Sequence, residues 1–128
     1  MERKFYLGFG ILWTGFVLIA CLADGNTVPK SSFFNFPNKD KIAHFIFYFV
    51  FSIVWLRYLI IEYKYTSKRV LAGIIFIVAA LMGGIIELIQ YYFTSTRSAE
   101  WADVLANCSG SLAGVLIGKS ISKKENKL

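Results

Sequence analysis

Residues 70–93 read VLAGIIFIVAALMGGIIELIQYYF, a run of 24 residues with one charge, Glu87. A helix rises about 1.5 Å per residue, so about 20 apolar residues cross the roughly 30 Å hydrocarbon core of a bilayer. This run is long enough, and it sets the class of the whole chain. Outward from it, Phe5 to Ala23 carries no charge at all. A second run, about 41–61, is interrupted by His44 and Arg57. A fourth, about 99–118, is diluted by Asp103, Asn107, Ser109 and Ser111. Alone it would insert poorly, but in a bundle its polar side chains can face neighbouring helices. The expected fold is all-α: an integral membrane bundle of four transmembrane helices, at about 5–23, 41–61, 70–93 and 99–118, in a single domain 1–128.

Composition agrees. The chain is 56% hydrophobic and 17% charged, with a mean hydropathy of +0.56, whereas soluble domains carry about 45–50% apolar and about 25% charged residues. A soluble enzyme, a disordered chain and a disulfide scaffold are excluded. The formal net charge is +6, which in a soluble protein would suggest nucleic acid. Here the basic residues stand at the ends of apolar runs, where they set membrane orientation, and no nucleic-acid partner is expected. Cys21 and Cys108 sit in apolar surroundings without metal-ligand spacing and read as packed thiols.

The connections fit the same plan. The segment 24–39 holds both prolines, Pro29 and Pro37, and proline without its N–H ends helices. Ser67 is placed to cap the third helix. Lys119 to Leu128 reads as a polar, frayed tail. With four helices, one side holds Arg3, Lys4, Arg57, Lys64, Lys68, Arg69, Lys119, Lys123, Lys124 and Lys127, and the other only Lys30, Lys39, Lys41 and Arg97. The positive-inside rule then puts both termini in the cytoplasm, with Arg57 snorkelling to the inner interface. A competing reading takes Met1 to Lys4 and the following apolar run as a signal peptide, with Leu18-Ile19-Ala20-Cys21 as a lipobox. The run continues through Leu22 and Ala23, and the spanning reading is preferred.

In this topology the polar intramembrane residues fall at one level. Asp40, His44 and Tyr48 are spaced by four and share a helix face, as do Asp103 and Asn107. Glu87, Gln90 and Tyr91 follow at three and four on the third helix, and Arg97 lies in the next link. An acid in a spanning helix costs roughly 2.5–3.5 kcal/mol at the centre on insertion scales, so such residues face the bundle and find partners. One reading is an outward-facing polar pocket formed by Asp40, Lys41, His44, Tyr48, Glu87, Gln90, Arg97, Asp103 and Asn107. The other is a set of buried pairs, Glu87 with Arg97 or Lys41, that fix packing. His44 is the only histidine and is either a candidate general base, with Asp40, Glu87 or Asp103 as orienting acid, or a hydrogen-bonded interface histidine. A metal held by His44 and carboxylates is chemically conceivable. No ligand-pair motif supports it, and neither a metal nor any other cofactor is expected. Gly110, Gly114 and Gly118 form a small-x-x-x-small stripe for close helix packing, within the chain or between copies, and Gly83 and Gly84 read similarly.

The ordered series Asp40-Lys41-x-x-His44-Phe45-x-x-Tyr48, Gly84-x-x-Glu87-x-x-Gln90, Arg97 and Asp103-x-x-x-Asn107-x-x-Gly110-x-x-x-Gly114 resembles the VanZ-like family of bacterial membrane proteins, over about residues 38–118. The resemblance implies a small transmembrane bundle in the bacterial cytoplasmic (inner) membrane and a shared polar site. Its founding member is associated with resistance to the glycopeptide teicoplanin. The leading expectation is a binding or accessory protein of the cell envelope. Its partners would be membrane lipids and an amphiphile, a lipid headgroup or a lipoglycopeptide, met by Arg97 and Lys41. An enzyme acting on a lipid-linked substrate is the alternative, although no G-x-S-x-G, HExxH or phosphate loop is present. A small transporter comes third, because four helices would need an oligomer and no inverted repeat is visible. The oligomeric state is not set by the sequence.

Overall fold

Four long helices in antiparallel succession make up the computed structural model, which describes residues 1–23, 38–93 and 100–125. They are α1 Glu2–Leu22, α2 Lys39–Glu62, α3 Lys68–Phe93 and α4 Trp101–Glu125, with no strand among the described residues. All four are long and apolar enough to cross a membrane, α4 being the least apolar. The expected spans hold to within a few residues except at the last end. There α4 continues through Glu125, more than a turn past the expected stop at 118. The extension is anchored: Ser122 is buried, its Oγ accepts from Arg57 Nη1 at 2.7 Å, and its carbonyl accepts from Lys68 Nζ at 3.3 Å. The frayed-tail expectation is therefore corrected for residues 119–125. Arg57 is corrected as well. Instead of reaching for the interface it is buried, with its guanidinium 5.6 Å from the centre of the Tyr6 ring. The proline-bearing link, residues 24–37, lies outside the described residues.

Helix faces follow from the apolar pattern. Along α3, Val70, Ile74, Ile77, Leu81, Ile85 and Leu88 recur at three and four and stay exposed, as a lipid-facing stripe should. Leu71, Ile75, Ala79, Gly83, Ile86, Glu87 and Gln90 are buried on the opposite face. Ser67 accepts from the Arg69 backbone N–H at 3.3 Å, the expected cap. Two apolar clusters stack along the bundle. Val17, Cys21, Tyr48, Phe51, Ala79 and Ile86 pack in one, and Leu56, Leu71, Ala72, Ile75 and Val115 in the other.

The closest pair is α2 with α4, and the two run parallel. Water expulsion does not drive helices together inside a bilayer, so close packing and hydrogen bonds do the work. The glycine stripe supplies the packing. A Cβ on Gly114 would lie 2.6 Å from the Phe49 carbonyl oxygen, one on Gly110 would overlap the Phe45 carbonyl, and one on Gly118 would touch Leu56 at 3.1 Å. The stripe thus serves contact within the chain. Ser52 and Ser111 share a buried hydrogen bond of 2.8 Å across the same seam. Removing both hydroxyls (Ser52→Ala with Ser111→Ala) should cost only about 0.6 kcal/mol in micellar unfolding, the average for such bonds in a membrane protein. On the other flank Trp55 lies over Gly10 and donates to Thr14 Oγ1 at 3.0 Å. Trp13 donates to the Phe47 carbonyl at 3.0 Å, tying α1 to α2.

Candidate polar site

At the end of the bundle where α2 and α4 begin and α3 ends, four polar side chains meet. His44 stands in the second turn of α2, Asp103 in the first turn of α4, and Asn107 one turn further on. Glu87 stands six residues before the end of α3, about 9 Å below it at 1.5 Å per residue. Because α3 runs antiparallel to α4, Glu87 falls opposite Asp103 and Gly83 opposite Asn107. Because α2 runs parallel to α4, His44 meets the same level. One ligand-type atom each from His44, Glu87 and Asp103 lies within 4.8 Å of the other two, and all three residues are buried. Every helix but α1 contributes to this cluster.

The local geometry is directional. His44 Nδ1 and Asn107 Oδ1 are 2.8 Å apart. With the amide oxygen as acceptor, Nδ1 carries the hydrogen and Nε2 keeps its lone pair. Asn107 has room there because residue 83 is glycine: a Cβ on Gly83 would lie 2.8 Å from Asn107 Nδ2. Neither carboxylate oxygen of Glu87 has a hydrogen-bond partner among the described residues, nor does Asp103 Oδ1. The Glu100 backbone N–H lies near Glu87 without ordinary hydrogen-bond geometry. Buried acceptors are almost always satisfied in folded proteins, so three carboxylate oxygens in one place without a hydrogen-bond partner among the described residues stand out.

Around this centre the other expected residues separate. Lys41 forms the rim, bonded to Glu100 at 2.9 Å and standing 3.9 Å from Asp103 Oδ1. It ties the start of α2 to the start of α4. Asp40 is exposed, one turn before His44. Tyr48 is fully buried one turn beyond His44, within Coulombic reach of Glu87, and its hydroxyl is likewise unpartnered among the described residues. Gln90 turns away from the cluster and donates to the Cys21 carbonyl on α1. Arg97 lies outside the described residues. The expected pairing of Glu87 with Lys41 is not formed; Lys41 goes to Glu100, which sequence spacing did not single out. A residue three before Asp103, at the first-turn boundary of α4, could have been picked by charge complementarity alone.

Two helices, α2 and α4, begin at this end. Their first-turn N–H groups and dipoles favour negative charge there. Exposed apolar residues flank the rim: Ile42, Phe45 and Ile46 on α2, and Trp101 and Leu105 on α4. A family model described as VanZ/LLP1 matches residues 7–122. Neither a curated protein nor a solved structure matches the chain.

Proposed function

The chain belongs to the VanZ/LLP1 family and is a membrane protein of four apolar helices, and from that premise we propose that its polar cluster receives the headgroup of an amphiphile at the membrane surface. The observation that carries this reading is the buried group of His44, Glu87 and Asp103, in which both Glu87 oxygens and Asp103 Oδ1 have no hydrogen-bond partner among the described residues. Lys41, Arg97 and the starts of α2 and α4 favour an anionic or zwitterionic headgroup. The exposed apolar residues beside the rim suit acyl or isoprenoid chains. The ligand class is a lipid of the envelope or a lipoglycopeptide of the teicoplanin type. The imbalance of ten basic residues against four supports cytoplasmic termini and an outward-facing site in a bacterial inner membrane.

Both parts are testable. For topology, single cysteines at Ser31 and Lys124 in a background lacking Cys21 and Cys108 are exposed to an impermeant maleimide on intact cells or spheroplasts. Ser31→Cys should label and Lys124→Cys should not; the reverse would turn the site to the cytoplasm. For binding, purified protein is titrated with a polyprenyl phosphate, phosphatidylglycerol and teicoplanin, and followed by native mass spectrometry. At least one should bind saturably, about ten-fold more weakly to Arg97→Ala, in line with the loss of one charge-assisted contact. Equal retention by Arg97→Ala and Glu87→Gln would remove the site from the proposal.

A second reading is favoured by the His44–Asn107 contact. With Nδ1 donating to the amide oxygen, the contact leaves Nε2 as the lone-pair nitrogen of a histidine grouped with two acids. An enzyme acting on a lipid-linked substrate would use it to activate water. Turnover of a bound lipid that stops in His44→Ala, with lipid binding retained, would support this reading over binding alone.

A further inference from the structure

Three donors from three helices converge on one buried point, and the arrangement has the features of a metal-binding site. We propose that His44, Glu87 and Asp103 bind a single divalent first-row transition ion, of the Zn²⁺ or Mn²⁺ type. The argument begins with the donor atoms. Their mutual separations are at most 4.8 Å. Ligands held about 2.0–2.2 Å from a common ion stand about 3.0–3.5 Å apart at adjacent positions, so small side-chain rotations close the set.

The second observation is independent of the clustering. Glu87 is 5% exposed, and neither of its oxygens has a hydrogen-bond partner among the described residues; Asp103 Oδ1 has none either, with Lys41 Nζ 3.9 Å away. Two ionised carboxylates this close repel each other, and a bound cation reverses that sign. With a neutral imidazole the two carboxylates offset the charge of a divalent ion, so the loaded site is neutral inside the bilayer.

The third observation concerns orientation. Imidazole ligands of metals usually donate their second ring N–H to a neighbouring acceptor, which fixes the tautomer. Asn107 Oδ1 stands 2.8 Å from His44 Nδ1 in that role. Gly83 leaves the space that Asn107 occupies. One nitrogen and two carboxylates suit Zn²⁺, Mn²⁺ or Fe²⁺ better than Mg²⁺ or Ca²⁺, which prefer all-oxygen shells. Three protein ligands leave coordination positions for water or for a phosphate or carboxylate oxygen of a ligand. Sequence spacing hid this set, because no two of the ligands share a helix.

The site stands on the cluster itself and not on the headgroup reading, so the metal alone is the probe. Protein carrying no polyhistidine tag is purified in detergent, delipidated, stripped with a chelator and titrated with Co²⁺, Cu²⁺ and Zn²⁺. One equivalent of Co²⁺ should give visible d–d absorption that Zn²⁺ displaces. His44 is the only histidine, so nitrogen coupling from the remote, uncoordinated ring nitrogen of a bound imidazole, read by electron spin-echo modulation of the Cu²⁺ signal, identifies it without any substitution. Glu87→Gln and Asp103→Asn should each weaken Co²⁺ binding by at least 100-fold, and Asn107→Ala by about 10–100-fold, the range for an outer partner of a ligand. Glu100→Gln should leave the stoichiometry unchanged. Absence of saturable Co²⁺ binding, or of nitrogen coupling in the wild-type protein, overturns the proposal whatever the fate of the variants. Metal binding with no lipid binding would leave this site standing and refute the headgroup reading, and the converse result would do the opposite.

Discussion

Gly110→Ala should destabilise the bundle by about 3 kcal/mol, at the upper end of the usual cost of overpacking. The reason is the identity of the obstacle. The added Cβ would overlap the Phe45 carbonyl oxygen and sit 3.0 Å from the Phe45 Cα. These are backbone atoms of α2 and cannot rotate aside, so α2 and α4 must separate along the seam. Separation also loosens the Ser52–Ser111 bond, whose α4 member is the next residue along. The neighbouring glycines provide an internal scale. At Gly118 the first obstacle is the Leu56 side chain, which can shift, and a smaller loss of about 1 kcal/mol is expected. At Gly84 a Cβ meets nothing within 4 Å, and alanine there should be neutral or stabilise by up to about 1 kcal/mol through helix propensity. Unfolding in mixed micelles by increasing dodecyl sulfate measures all three. Equal stabilities for Gly110→Ala and Gly84→Ala would mean that α2 and α4 do not meet here.

Glu87→Met should act in the opposite direction: stability should rise by about 2 kcal/mol in chelator-treated protein while the function of the site is lost. A buried acceptor without a partner carries a desolvation cost of about 1–3 kcal/mol, and more when charged. Methionine fills nearly the same volume without that cost, and replacing buried charge by apolar groups is often neutral or stabilising. The micellar unfolding midpoint, taken with and without Zn²⁺, checks it. Wild type should gain stability on adding Zn²⁺, and Glu87→Met should not respond. A destabilised Glu87→Met in the absence of metal would show that the carboxylate has a structural partner. If both arms come out so, stability and ligand binding trade off at this residue, as is common where polar groups are held ready for a ligand.

The helices were readable because charge is so unevenly distributed: the single acid in 70–93 leaves α3 no other fate. The extent of α4 was less readable, because the stop at Gly118-Lys119 looks decisive until Ser122 is seen filling the space between Arg57 and Lys68. Arg57 itself has the length to reach an interface, and only tertiary packing against Tyr6 and α4 buries it. For the site, the four-residue spacings of His44 and of Asp103 with Asn107 gave the level and the face within each helix. They could not give the rotation of one helix against another. That rotation is set by the glycines of α4 meeting carbonyls of α2, a contact with no periodic signature of its own. For the same reason Gln90 looked like a member of the cluster but bonds to the Cys21 carbonyl. Lys41 found Glu100, a residue just outside the apolar run and therefore outside the pattern being read.

The parallel seam between α2 and α4 also has a consequence for biogenesis. The two helices are neighbours in space but are separated in the chain by the whole of α3. A ribosome delivers them to the translocon in order, so α2 and α3 enter the bilayer before their partner exists. During that interval His44 and Glu87 face lipid or each other without Asp103 and Asn107. Of the four, α4 is also the least apolar, and its polar residues find partners only on helices made before it. The cluster is therefore complete only once α4 has been made and has packed against α2 and α3.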